Sequence, residues 1–114
     1  MDDIGLVSKF FEKRGYKVLK AAHKNANGPD LTIVNDYCAY RIEIKTARKI
    51  KSGSIQVPPI SEPRKSDDFV VVLYCKEIVL IESMRDYLRL CASDGTRSIT
   101  LFANMLNSSL GVAR

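Results

Sequence analysis

The run Phe69-Val70-Val71-Val72-Leu73-Tyr74 constrains this chain more than any other stretch. A strand with one wet face alternates apolar and polar residues, and this run does not alternate. Its β-branched valines fit a central strand covered on both faces. Short elements are expected around it. Ile4, Val7, Phe10 and Phe11 recur at helical spacing over residues 4–14, with Asp2 or Asp3 as N-cap and Gly15 as the stop. Residues 16–19 fit a first strand ending near Ala22, 31–35 a second, and 38–46 a third, with Asn35-Asp36 as the turn between the last two. Ile78 to Ile81 fits a fifth strand, joined to the central one through Cys75-Lys76-Glu77. Ser83 caps a helix to Cys91 that carries Met84, Tyr87, Leu88 and Cys91 on one face. Asp94-Gly95 signals a turn, Ile99 to Phe102 fits an edge strand, and the polar tail after Asn107 is expected to fray.

Between the third strand and the central one the composition changes. Gly53, Pro58, Pro59 and Pro63 exclude a long helix over residues 50–68. A flexible basic loop is expected there, with an extended piece at Ser54 to Val57 and a helical turn at Ser61 to Ser66. The 114 residues fit one domain spanning 1–114 with one modest core. The mix of 46% apolar and 27% charged residues is that of a soluble globular protein. No apolar run approaches the ~20 residues of a membrane span. The acidic N-terminus lacks the features of a signal peptide. Cys38, Cys75 and Cys91, odd in number and without paired spacing, read as reduced thiols packed in the core of a cytoplasmic protein. His23 reads as a surface or hydrogen-bonded residue, and as the one histidine it argues against a His-Cys zinc site.

The residues with chemistry to offer lie in Gly28-Pro29-Asp30 and in Tyr40-Arg41-Ile42-Glu43-Ile44-Lys45. Along a strand, residues two apart share a face. Arg41, Glu43 and Lys45 therefore share one face, and Tyr40, Ile42 and Ile44 the other. If the second and third strands pair, the carboxylates of Asp30 and Glu43 and the ammonium of Lys45 converge. Two carboxylates suit a hard cation such as Mg²⁺ that keeps positions open for phosphate oxygens. An ammonium beside them can position an attacking water. The net charge of +5 is concentrated just downstream, because residues 41–65 hold seven basic and two acidic side chains. Such a field attracts a polyanion. Tyr37 and Tyr40 are expected to pack rather than stack on bases.

The order helix, three strands, connector, strand, with Pro29-Asp30 opening strand two and Glu43-Ile44-Lys45 on strand three, resembles the PD-(D/E)XK nuclease superfamily. Twelve residues separate Asp30 from Glu43. Among its members the chain looks most like small Holliday-junction-resolvase-like or intron-encoded endonucleases. The resemblance implies an α/β (α+β) fold with a restriction-endonuclease-like core, a mixed central sheet of about five strands flanked by helices. It implies Asp30, Glu43 and Lys45 as catalytic residues. It also implies Mg²⁺ or Mn²⁺ held by Asp30, Glu43 and the Ile44 carbonyl, with Glu12 on the first helix as a further acid of the metal shell. DNA is the implied partner, with Lys24, Arg48, Lys49, Lys51, Gln56, Arg64 and Lys65 as contacts and no small-molecule cofactor. Residues 48–65 are expected on phosphates rather than base edges. One departure stands out. The family usually places a helix between strands three and four, where this chain has three prolines.

The function expected is a Mg²⁺-dependent DNA endonuclease. The alternative is a nucleic-acid-binding module that retains the nuclease fold without cutting. A homodimer is expected, since cutting two strands takes two sites. Met84, Tyr87, Leu88, Leu101, Phe102, Met105 and Leu106 are its candidate interface.

Overall fold

The computed structural model describes residues 2–20, 28–51 and 53–100. The elements are α1 (Asp3–Glu12), β1 (Lys17–Lys20), β2 (Leu31–Val34), β3 (Ala39–Thr46), β4 (Arg48–Lys49), β5 (Ser54–Val57), a 3₁₀ turn (Glu62–Ser66), β6 (Phe69–Tyr74), β7 (Glu77–Ser83), α2 (Met84–Arg89) and β8 (Arg97–Thr100). A five-stranded sheet runs β1-β2-β3-β6-β7, with β3 and β6 parallel and the other neighbours antiparallel. β4, β5 and β8 form a second, antiparallel sheet of three strands. This is the mixed α+β architecture expected from the sequence.

The continuous apolar run works as a two-faced strand. Val71 and Leu73 join Ile42, Leu31, Val7 and Phe11 on the side covered by α1. Val70 and Val72 join Ile55, Val57, Met84 and Tyr87 on the other side, covered by α2 and the second sheet. Full burial of each valine contributes about 1.5–3 kcal/mol, which no single-layer arrangement could recover. α1 starts where Asp2 accepts the Gly5 N–H at 2.8 Å, and it stops before Gly15, whose φ of +90° a side chain would oppose. Ser83 caps α2 by accepting the Asp86 N–H at 3.2 Å.

Three expectations change. The basic segment after β3 is a β4–β5 hairpin completed by β8, not a bare loop. Ser54-Ile55-Gln56-Val57 alternates with period two, and both Ile55 and Val57 are fully buried. The cysteines are free thiols, but Cys75 is exposed and Cys38 and Cys91 are half-buried, Cys91 packing against the edge of the core. Cys75 falls in the β6–β7 turn, where Tyr74 and Glu77 pair around it. Met84 and Tyr87 are buried beneath the sheet and cannot present an interface. Leu101, Phe102, Met105 and Leu106 lie outside the described residues. Among those that are described, no helix is long and apolar enough to cross a membrane.

The β6–β7 turn carries strain. Cys75 and Lys76 both have positive φ, 51° and 63°, the type I′ geometry that favours Asn-Gly. Lys76 recovers part of that cost through an exposed ion pair with Asp3 at 3.2 Å, an interaction worth about 0–1 kcal/mol. The left-handed conformation costs a side chain about 1–2 kcal/mol. Lys76→Gly is therefore expected to raise the urea midpoint slightly with no change in m. A lowered midpoint would mean that the ion pair outweighs the backbone strain.

Candidate active site

The site begins where the β2–β3 ladder ends. Leu31 pairs with Ile42, so the register continued by two residues sets Pro29 opposite Ile44. Odd-numbered residues of β3 direct their peptide groups to β6. The Arg41 carbonyl accepts the Asp68 N–H at 2.9 Å, and the Ala47 N–H donates to the Leu73 carbonyl at 2.8 Å. Even-numbered residues, Ile44 among them, thus face β2. Pro29 has no N–H to give the Ile44 carbonyl. In place of the next ladder bond, the Ile44 N–H donates to Asp30 Oδ2 at 2.8 Å. One proline thus turns the end of a sheet ladder into a position where a carboxylate and a backbone carbonyl lie on the same side of β3.

Glu43 adds the second acid. Alternation sends it to the face opposite Ile42, and it is only 5% exposed. Burial first, then the hydrogen bond and negative charge of Asp30, push its pKa from 4.5 up to about 8, with Lys45 partly opposing. Glu43 therefore keeps its proton near neutral pH unless a cation offsets the neighbouring charge. Lys45 is half-buried two residues on, on the same face as Glu43. The structure thus brings together Asp30, Glu43, Ile44 and Lys45.

Asp67, not singled out in the sequence, stands behind them. It is 5% exposed, and burial raises its pKa, with Arg64 and Arg41 opposing and Asp30 adding to the rise. Asp68 clamps three elements. Its carboxylate accepts the Arg41 N–H at 2.7 Å, its own N–H donates to the Arg41 carbonyl, and its carbonyl accepts the Met84 N–H at 2.9 Å. The adjacent acids before a fully apolar strand are the signal for this pair, since parallel pairing sets the start of β6 beside Arg41.

The other expected residues divide. Glu12 is exposed at the end of α1, which covers the opposite face of the sheet from Glu43. Arg48, Lys49 and Lys51 are exposed on and beside β4. Gln56 lies on β5 opposite Arg48. Arg64 is turned inward, with its Nη1 4.0 Å from Asp67. Lys65 is held by Glu62 at 2.6 Å. Lys24 and His23 lie outside the described residues. Tyr40 packs edge-on against Phe69 at 5.1 Å between centroids, whereas Tyr37, in the β2–β3 loop, is 94% exposed.

This fold is similar to that of an endonuclease. Among solved structures, it resembles that of a bacterial homing endonuclease, I-Ssp6803I, with a TM-score of 0.69 and 14% sequence identity over 86% of this chain and 70% of that one. At that identity the likeness is one of fold. No protein-family model and no curated protein matches the chain.

The buried acid predicts a pH dependence. Folded, Glu43 keeps its proton up to about pH 8; unfolded, it loses it near its ordinary 4.5. The folded state binds more protons in that window, so this group makes stability fall as pH rises through it and level off above. In EDTA, Glu43→Gln is expected to exceed wild-type stability by about 1–3 kcal/mol at pH 8 and to converge with it near pH 5. Urea unfolding across pH measures this. A difference that does not vary with pH would mean that Glu43 is ionised in the folded state.

Proposed function

We propose that this chain is a divalent-metal-dependent endonuclease that hydrolyses phosphodiester bonds in duplex or branched DNA. The observation that carries the reading is the convergence of Asp30, Glu43 and the Ile44 carbonyl where Pro29 ends the ladder. These donors fit Mg²⁺ or Mn²⁺, being hard oxygens that leave positions for phosphate and water. Among the described residues no group of three or more His, Cys, Asp or Glu forms a metal cluster of its own. The buried Glu43, with its pKa pushed up, supplies the complementary reason, since a cation can take the proton's place.

Asp30 and Glu43 would hold the metal with the Ile44 carbonyl. Bound there, it supplies Lewis acidity to the scissile phosphate and lowers the pKa of water. Asp30 is fixed for this task by the Ile44 N–H. Lys45 orients the attacking water through its ammonium protons and offsets charge developing on the phosphate. The layer of α2 and the second sheet shields Glu43 from bulk water, which strengthens its interactions with Asp30 and Lys45. The basic balance of residues 41–65 draws the polyanion to the same end of β3. The likeness in fold to a homing endonuclease lends weight to DNA as substrate.

The test is cleavage of supercoiled plasmid, linear duplex and a four-way junction, each with Mg²⁺ and with EDTA. Cutting is expected only with the metal. Asp30→Asn, Glu43→Gln and Lys45→Ala are each expected to lower the rate by at least about a hundredfold while keeping the circular dichroism of the fold. Asp30→Asn cutting at the wild-type rate would remove the proposed mechanism. Tight DNA binding without cutting under any metal would favour the non-cleaving module instead.

Two strands need two such sites, and so the active form is proposed to be a homodimer. Sedimentation at micromolar concentration is expected to give twice the 12.8 kDa chain mass. A monomer both free and on DNA would recast the protein as a nicking enzyme.

A further inference from the structure

The pleat of the second sheet sorts its side chains into two rows. Ile55 pairs with Lys49 and Ile99, and Ile55 and Val57 are fully buried against the main sheet. The neighbouring row, Arg48 with Gln56 with Ser98, therefore turns away from the core. Arg48 and Ser98 are exposed and Gln56 is half-buried. Side chains directly opposite across antiparallel strands stand about 5 Å apart. The row thus spans roughly 10 Å, within the ~12 Å width of a major groove.

The residue types in this row are the ones that bond base edges. Arginine pairs in bidentate fashion with guanine, glutamine with adenine, and serine with either. Gln56 is also preset. Its Nε2 donates to Thr96 Oγ1 at 3.3 Å, and that hydroxyl in turn donates to Asp94 Oδ1 at 2.7 Å. One amide N–H is thereby anchored, which leaves the second N–H and the amide oxygen, the two groups that adenine takes. In the sequence Arg48, Gln56 and Ser98 are far apart, and only the hairpin and β8 align them.

The row is also tied to the proposed site. Only Ala47 separates β3 from β4, so Arg48 follows Lys45 by three residues along nearly continuous extended chain. That is roughly 10 Å, or about three base-pair rises. The exposed charges beside the row, Lys49 and Lys51, are complementary to a nucleic acid backbone.

We propose that the Arg48–Gln56–Ser98 row reads base edges in the major groove of duplex DNA, close to the phosphate that is cut. This rests on the endonuclease reading above, and it replaces the expectation that residues 48–65 touch phosphates alone. Sheets that enter a groove to read bases are an established mode of recognition.

The experiment is selection from a randomised duplex library, followed by salt titrations, with the full chain and three variants. Gln56→Ala is expected to lose preference at one position of the site by about 5- to 100-fold, with an unchanged salt slope because no charge is removed. Arg48→Lys keeps the charge but not the bidentate fork, and is expected to lose a guanine preference in the same way. Lys51→Ala is the contrast, expected to weaken all sequences alike and to lower the salt slope by about one unit. Unchanged preferences in both Gln56→Ala and Arg48→Lys would overturn the proposal. So would a wild-type chain that binds DNA but selects no sequence, and in either case the nuclease reading would stand. A wild-type chain that binds no DNA at all would overturn both.

Discussion

β3 and β6 lie side by side in parallel, and a parallel pair must be covered on both faces and joined by a crossover. Much of this molecule follows from those two demands. α1 covers one face of the pair, and α2 with the second sheet covers the other. The crossover is the segment from Arg48 to Asp68, which holds two short strands and a 3₁₀ turn where a helix would be usual. Three prolines make the helix impossible, and the alternating Ser54 to Val57 supplies a strand instead. The second sheet is therefore both the connection and half of the cover.

The same cover explains the electrostatics. Glu43 points into the layer that holds Val70, Val72, Met84 and Tyr87, and so it loses most of its water. A lone carboxylate there would be a defect. Beside Asp30 its pKa is pushed up to about 8, with Lys45 opposing the rise. Arg97 and Glu82, 3.6 Å apart and each 18% exposed, tie β8 to the edge strand β7 and hold the lid of that layer in place.

Much of this was legible in the sequence. The two-faced strand, the three-strand meander before it, both helix caps and the approach of Asp30 to Glu43 follow from periodicity and turn chemistry. The second sheet was not legible as a sheet. β4 is only two residues long, and the third strand, β8, pairs with β5 from some forty residues further along the chain, so no local pattern marks the sheet. Arg64 read as a free cation because the acids ahead of the apolar strand do not show on their own that Asp67, three residues on, turns inward beside it. Cys75 read as core because its residue type is usually buried, whereas its place was set by a tight turn. Within the candidate site, Asp30, Glu43 and Lys45 were visible as residue types. The role of Pro29 in freeing a carbonyl needed the register.

The β2–β3 loop, Asn35 to Cys38, has a bearing on the order of folding. Asn35 holds this loop by itself, since its side chain accepts the N–H groups of Tyr37 and Cys38 and its N–H donates to the Cys38 carbonyl. Hairpins of this kind close in about 1–10 μs. Asp30 and Glu43 sit at the open end of the hairpin, so their encounter is a local contact and therefore fast. Their burial is different. It waits for β6 to dock across the crossover, a contact of long sequence separation and hence slow. By topology, then, the two acids come together before β6 and the second sheet close over Glu43.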